Sequence, residues 1–216
     1  MHKYQKIRLE LMKRINSQTW PVGGPIPHED ALADEFGVAR GTIRQALSSL
    51  VEAGFLDKKR RSGTRVAYPR TDTSTFRIGL VRDEIEAMGG VYDYQLLEDH
   101  LDGNTRQLVC LHLKGQRPFQ LEQRSINMAS IPDAREQYFD ATSPGEWLLA
   151  TYPYTRLDTQ ICAATPQAAE CEPLQLAQNE PVFVIERQTY LDDDWLTRVR
   201  LIHPASTYSI SVSKVF

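Results

Sequence analysis

The stretch "ALADEFGVARGTIRQALSSLVEAGF", residues 31–55, constrains the fold more tightly than any other part of the chain. Leu32 and Phe36 recur at helical spacing, Gly37 interrupts, and Ile43, Ala46, Leu47, Leu50 and Val51 resume the period. Glycine is the natural left-handed residue past a helix end, so "FGV" reads as a tight turn between two helices. The first runs about Glu29 to Glu35 and the second about Arg40 to Ala53, stopping at Gly54. The second helix offers Arg40, Thr42, Arg44, Gln45 and Ser48 on the face its apolar residues leave free.

Helix, short glycine-containing turn, helix is the helix-turn-helix arrangement, whose second helix enters the DNA major groove through its N-terminal residues. Arg40 and Arg44 stand one turn apart, and a guanidinium fork reads guanine O6 and N7 or clamps a phosphate. Gly41 and Thr42 are small enough to allow close approach to base edges, and Gln45 shares their face. Behind the helix, "FLDKK" and "TRVAY" read as two short strands around a basic tip. That tip places Lys59, Arg60, Arg61, Ser62 and Gly63 where a wing reaches backbone or minor groove. A charged helix face is commonly just solvated. The conjunction of helices, turn and basic hairpin favours DNA.

Charge supports the same division. Residues 1–70 carry 13 basic against 7 acidic side chains, whereas residues 71–216 carry 12 against 21. Only the first part should seek a polyanion, although the whole chain has a net charge of −3. Tyr4, Ile7, Leu11 and Ile15 make a first helix over residues 3–17, ended by "WPVGGPIP". The boundary falls at "YPRTDTSTF", which gives a DNA-binding domain over 1–69, a linker over 70–76 and a second domain over 77–216.

The second domain reads as α+β. "GLVRDEIEAMGG", "SPGEWLLATY" and "TPQAAECEPLQL" are short helices. "RQLVCLHLKGQRPFQLEQRSI" and "PVFVIERQTYLDDDWLTRVRLIHP" are hairpins, so an antiparallel sheet with flanking helices follows. No phosphate loop, GxSxG or HExxH pattern occurs, and Cys110, Cys162 and Cys171 lack metal-site or CxxC spacing. We therefore expect no enzyme, no cofactor and no metal. With 41% hydrophobic residues, 25% charged residues and no bilayer-length apolar run, a cytoplasmic protein that does not enter membranes is expected.

The segments "IPHEDALADEFGVARGTIRQALSSLVEAGFL" and "SGTRVA" resemble the winged helix-turn-helix of the GntR regulators. The resemblance implies DNA contacts from Arg40, Thr42 and Arg44 and from the wing tip at Ser62-Gly63. Three departures stand out: Ala39 replaces the usual serine N-cap, His28 stands where a serine often caps the preceding helix, and Arg61 replaces a wing glycine. Losing the serine cap should cost about 1 kcal/mol locally. Some members also carry a basic residue where Asp30 sits.

Downstream, "GQRPFQLEQRSIN", "SPGEWLL", "TPQAAECEPLQLAQNEPVFVIERQTY" and "TRVRLIHPASTY" resemble the UTRA effector-binding domain of the HutC branch. That resemblance implies a chorismate-lyase-like α+β fold that senses a small molecule without turning it over. It also implies a homodimeric repressor on a two-fold operator, histidine-utilisation genes as targets, and urocanate as effector. Another small carboxylate or a sugar is the alternative effector, and a chorismate-lyase-like enzyme the alternative class. UTRA relatives use strand positions matching Cys110, His112, Glu122 and Tyr208. Glu122 is expected to accept an imidazole N–H, Arg198 or Arg200 to bind a carboxylate, and Tyr208 to supply a wall or hydroxyl. Cys110 and His112, where phosphosugar binders tend to carry arginines, argue against a phosphate ligand.

One point of geometry decides whether that pocket exists. A three-residue loop, Gly115-Gln116-Arg117, puts Cys110 and Glu122 on one face of the sheet, whereas an even-numbered loop separates Glu122 from His112. "YDYQLLEDHLDGNTR", residues 92–106, is shorter than its counterpart in relatives, which carry an additional helix there. A trimmed pocket wall is expected.

Overall fold

A computed structural model describes residues 3–17, 19–59, 63–68 and 79–210, with the backbone alone at Lys59. The expected linker 70–76, the wing-tip residues Arg60, Arg61 and Ser62, and the Lys59 side chain lie outside the described residues. The chain divides into two compact units.

The N-terminal unit follows its apolar periodicity. Helices α1 (Lys3–Asn16), α2 (Glu29–Phe36) and α3 (Arg40–Glu52) precede strands β1 (Leu56–Lys59) and β2 (Gly63–Val66). Leu11, Leu32, Ile43, Ala46 and Leu50 are fully buried, so α1 and α2 both close on the apolar stripe of α3. Gly37 adopts φ 60° and ψ 42°, and its N–H caps the end of α2. Ala39 and His28 occupy the two N-caps without a side-chain hydrogen bond, as their chemistry requires. "WPVGGPIP" does more than end a helix. Gly23 and Ile26 donate backbone N–H groups to Val66 and Thr64 of β2, and Val66 donates back to Gly24. The wing thus has a third strand-like element, and Pro25 sits at its bridge to Arg65.

The C-terminal unit is one antiparallel sheet in the order β3-β4-β5-β8-β7-β6. Its strands are β3 (Tyr92–Asp102), β4 (Thr105–Lys114), β5 (Arg117–Asn127), β6 (Arg156–Ala164), β7 (Val182–Leu191) and β8 (Asp194–Pro204). The unit also holds α4 (Val81–Ala87), α6 (Ala168–Leu174), one short 3-10 turn (Pro132–Arg135) and the first half of α5 (Pro144–Thr151), whose residues from Leu148 onward group with the N-terminal unit. The segment expected as a trimmed wall is mostly β3, an edge strand whose Tyr92, Tyr94 and Leu96 alternate inward. Strand β6 was also not anticipated. Its burial alternates weakly along "RLDTQICAA", as befits the opposite edge.

The hairpin β4–β5 reaches the required register by an unexpected route. The turn is two residues, Gly115-Gln116, so Lys114 pairs with Arg117 and Leu113 with Pro118. A bulge then skips Phe119, so His112 pairs with Gln120 and Cys110 with Glu122. The extra residue absorbed by the bulge replaces the expected three-residue loop. Cys110, His112, Gln120 and Glu122 consequently share one face, continued by Leu201 on β8 and Ile185 on β7. The opposite face packs Leu111, Leu121, Val184 and Ile202 under Leu174 of α6.

The Phe119 ring is buried, edge-on to His203 at 5.5 Å and to Tyr208 at 5.9 Å. Phe119→Ala should destabilise the protein by about 3–5 kcal/mol. A denaturant titration followed by far-UV circular dichroism measures this.

Candidate functional sites: a basic helix face and a buried polar sheet face

In α3, Arg40, Gly41, Arg44 and Gln45 are exposed and Thr42 is half-buried. The outward face expected from the periodicity is therefore present. Both arginines are held from α2. Arg40 Nε meets Asp30 Oδ1 at 2.6 Å, in a pair that is mostly exposed. Arg44 donates through Nε and Nη2 to Glu29 Oε2 at 3.2 and 3.1 Å, and Lys58 Nζ reaches Glu29 Oε1 at 3.4 Å. Burial raises the Glu29 pKa, but the hydrogen bond and charge of Arg44, joined by Lys58, outweigh it and the net shift is downward. Glu29 thus links the exposed helix to the first wing strand. Gly63 opens β2 with φ 77°, a conformation that favours glycine.

The buried polar face of the C-terminal sheet carries a chain of hydrogen bonds. Glu122 is 2% exposed, and each of its oxygens has a partner. Arg124 Nε donates to Oε1 at 2.6 Å, and His112 Nε2 lies 3.0 Å from Oε2. Burial opposes ionisation of Glu122, but the charge of Arg124 and the His112 hydrogen bond prevail and bring its pKa to about 2. A carboxylate only accepts, so the proton between them belongs to His112 Nε2. The Tyr92 hydroxyl lies 2.9 Å from Nδ1, and burial pushes its own pKa up to about 12, so it remains a donor. Arg124 Nη1 donates to Thr197 Oγ1 at 3.1 Å. Tyr94 donates to the sulfur of buried Cys110 at 3.3 Å.

Three sequence expectations change here. Arg198 and Arg200 pair with Ser125 and Gln123, so strand alternation puts them on the face opposite Glu122. They border an open groove of about 540 Å³ lined also by Gln107, Gln123 and Gln188. Arg200 is bound there by Glu170 at 3.2 Å and Glu186 at 3.2 Å, and Arg198 lies over the Trp195 ring. Neither joins Cys110, His112 and Glu122. Glu122 itself is not an open acceptor, because its two oxygens are taken by His112 and Arg124. The third is at Tyr208, whose ring is engaged within the protein, stacked on His203 at 3.7 Å.

Residues that sequence reasoning passed over complete the face. Arg124 follows Glu122 by the two-residue period of a strand, which puts it on the same face. Tyr92 and Tyr94 announce themselves by the alternation "YDY", which was legible once the segment is a strand. Arg187 and His203 lie on β7 and β8 with no local signal. Gly145, at the start of α5, lies beside this network, at ordinary contact distance from Arg124 Nη2 and Glu122 Oε2. Among the described residues no cluster of His, Cys, Asp and Glu could hold a metal ion.

An exposed helix carrying two oriented guanidiniums, on a chain that also holds a buried charged face behind a sheet, defines a DNA-binding regulator with a separate sensing domain. Comparison with known proteins agrees. Residues 3–66 match the model of the bacterial regulatory proteins of the gntR family, and residues 102–209, half of the chain, match the UTRA domain. The histidine utilization repressor of Pseudomonas putida is 30% identical over 96% of this chain and 90% of its own length. The chain belongs to the GntR family, with a UTRA domain, and its curated relatives include transcriptional repressors. Two solved structures share the fold. The C-terminal domain of the histidine utilization repressor from Pseudomonas syringae pv. tomato str. DC3000 covers 58% of this chain and 99% of itself, at 24% identity and TM-score 0.53. PhnF from Mycobacterium smegmatis covers 97% of this chain and 99% of itself, at 23% identity and TM-score 0.56.

The buried face also predicts acid sensitivity. Burial holds the His203 pKa at about 3, below the ordinary 6.5, so the unfolded chain binds a proton that the folded one refuses between those values. Stability is therefore complete above pH 6.5 and falls as the pH drops toward 3, with Glu122 adding a loss in the same direction below 4.5. Thermal melts across this range should show the decline, and His203→Gln should flatten its upper part.

Proposed function

We propose that the protein is a cytoplasmic, homodimeric repressor of histidine-utilisation genes that binds a two-fold-related operator and is released from it by urocanate. The relatives named as histidine utilization repressors over nearly the whole chain support the regulated pathway. The observation that carries the ligand class is the buried His112–Glu122–Arg124 network. On that face Cys110 and His112 hold the strand positions where phosphosugar-binding relatives tend to carry arginines. A flat imidazole acrylate suits such a face, with Tyr92, Tyr94 and Tyr208 as aromatic walls. Glu122 serves by fixing the tautomer of His112 and the orientation of Arg124.

On DNA, Arg40 and Arg44 read base edges, with Thr42 and Gln45 beside them and Lys59, Arg60, Arg61, Ser62 and Gly63 supporting from the wing. Asp30 holds Arg40 through Nε and Glu29 holds Arg44 through Nε and Nη2, leaving the remaining guanidinium N–H groups for guanine. Urocanate acts by binding the released state better than the DNA-bound state, a coupling of about 1–3 kcal/mol.

Two experiments test this reading. Calorimetric titration should give micromolar urocanate binding, with histidine and a phosphosugar silent; binding of a phosphosugar instead overturns the effector. In fluorescence anisotropy, Arg40→Ala and Arg44→Ala should each weaken specific operator binding by about 1–3 kcal/mol. Glu122→Gln should stay on DNA and lose its response to urocanate.

A further inference from the structure

The polar face of the C-terminal sheet carries more cationic groups than its own acids satisfy. Arg106 is fully engaged by Asp99 and by the backbone carbonyls of Ala134 and Gln137. Arg82 is paired with Glu146 at 3.2 Å and lies over the Tyr92 ring at 4.4 Å. Arg124 spends Nε and Nη1 on Glu122 and Thr197. Arg187 is different. Its Nε is buried without a hydrogen-bond partner, and among the described residues no carboxylate stands within ion-pair distance of it.

The register sets Arg187 against Arg124. Arg124 pairs with Val199 on β8, and Val199 pairs with Arg187 on β7, so the three occupy one row on one face. Two strand spacings put the arginine Cα atoms about 10 Å apart. The valine between them is short and buried beside Ile185 and Leu201, with Tyr208 packed against them, so the two longer cationic side chains reach past it on either side. Burial depresses the Arg187 pKa, the like charge of Arg124 depresses it further, and Tyr208 and the half-buried Glu84 of α4 oppose this. An unpaired guanidinium in such surroundings is costly unless an anion completes it. His203, stacked under Tyr208, has its own Nδ1 buried without a partner, which marks the same region as polar and incompletely satisfied.

We propose that Arg187 and the free Nη2 of Arg124 form the subsite for the effector's carboxylate, seated over Val199 and walled by Tyr208. This deepens the proposed sensing function and rests on it. It assigns the carboxylate-binding role to the first sheet face, in place of Arg198 and Arg200, which the fold turns away. A carboxylate accepts from the Arg187 guanidinium and from Nη2 of Arg124 more readily than any neutral group does. The subsite therefore selects acids over their amides, whatever the other end of the ligand is.

The test uses the full chain and a panel of matched pairs: urocanate and its neutral amide, and other planar carboxylates with their amides, each titrated calorimetrically. The wild-type protein should prefer the acid by at least tenfold. Arg187→Gln should bring that preference close to unity while operator binding is retained. Val199→Leu, which lengthens the side chain between the two arginines without removing a charge, should weaken the acid and spare the amide. If another carboxylate replaces urocanate but still depends on Arg187, the subsite stands and the urocanate assignment falls. A wild-type protein indifferent to acid against amide, or variants that both keep the preference, overturns the subsite.

Discussion

The C-terminal domain is organised by the need to satisfy one buried carboxylate. Glu122 sits in the middle of a sheet at almost zero exposure, where an isolated charge would be prohibitive. Everything around it answers that need. Arg124 neutralises it, His112 supplies a proton donor, Tyr92 fixes the imidazole from behind, and Thr197 holds the far side of the guanidinium. Each partner comes from a different place in the sheet, so the network exists only in the correct strand register. A slip by one residue would send Glu122 and Arg124 to the other face and part them from His112 on β4 and Thr197 on β8. The bulge at Phe119 is therefore as much a part of the site as the charged residues.

The same logic operates in reverse in the N-terminal domain. There the charged groups are outside, so ion pairs contribute little to stability and much to orientation. Glu29 gathers Arg44 and Lys58 onto one carboxylate, and Asp30 holds Arg40. The long flexible side chains of Arg40, Arg44 and Lys58 are thus held near α2. Acidic residues beside a basic helix face look unfavourable when counted as net charge. Here they act as supports for the arginines behind which they stand.

The two domains were unequally legible in the sequence. The helical period of Leu32, Ile43, Ala46, Leu47 and Leu50, broken by Gly37, is local information, and α2, the turn and α3 formed where that period put them. The β-strands were harder. Tyr92–Asp102 and Arg156–Ala164 are edge strands, half exposed and rich in polar residues, so neither shows the hydrophobic run that marks a buried strand. Cys110, His112 and Glu122 were gathered correctly, because a two-residue period and one hairpin connect them. Arg198 and Arg200 were not, because their face depends on how β8 pairs with β5, which no hairpin turn between those strands dictates.

What the sequence determined by itself is the set of local decisions: helix ends, the glycine turn, the outward face of α3, the positions of three of the strand pairs' turns, and the charge reversal between the two halves. These follow from spacings of a few residues, within which backbone geometry leaves little choice. What only the tertiary structure decided is which distant side chains face one another. The row Arg124–Val199–Arg187 joins residues more than sixty positions apart, and the stack of Tyr208 on His203 requires the chain to fold back over its own sheet. Strand alternation offers every residue two faces, and the choice between them is made by long-range pairing, where burying an unpaired charge costs more than any local preference contributes.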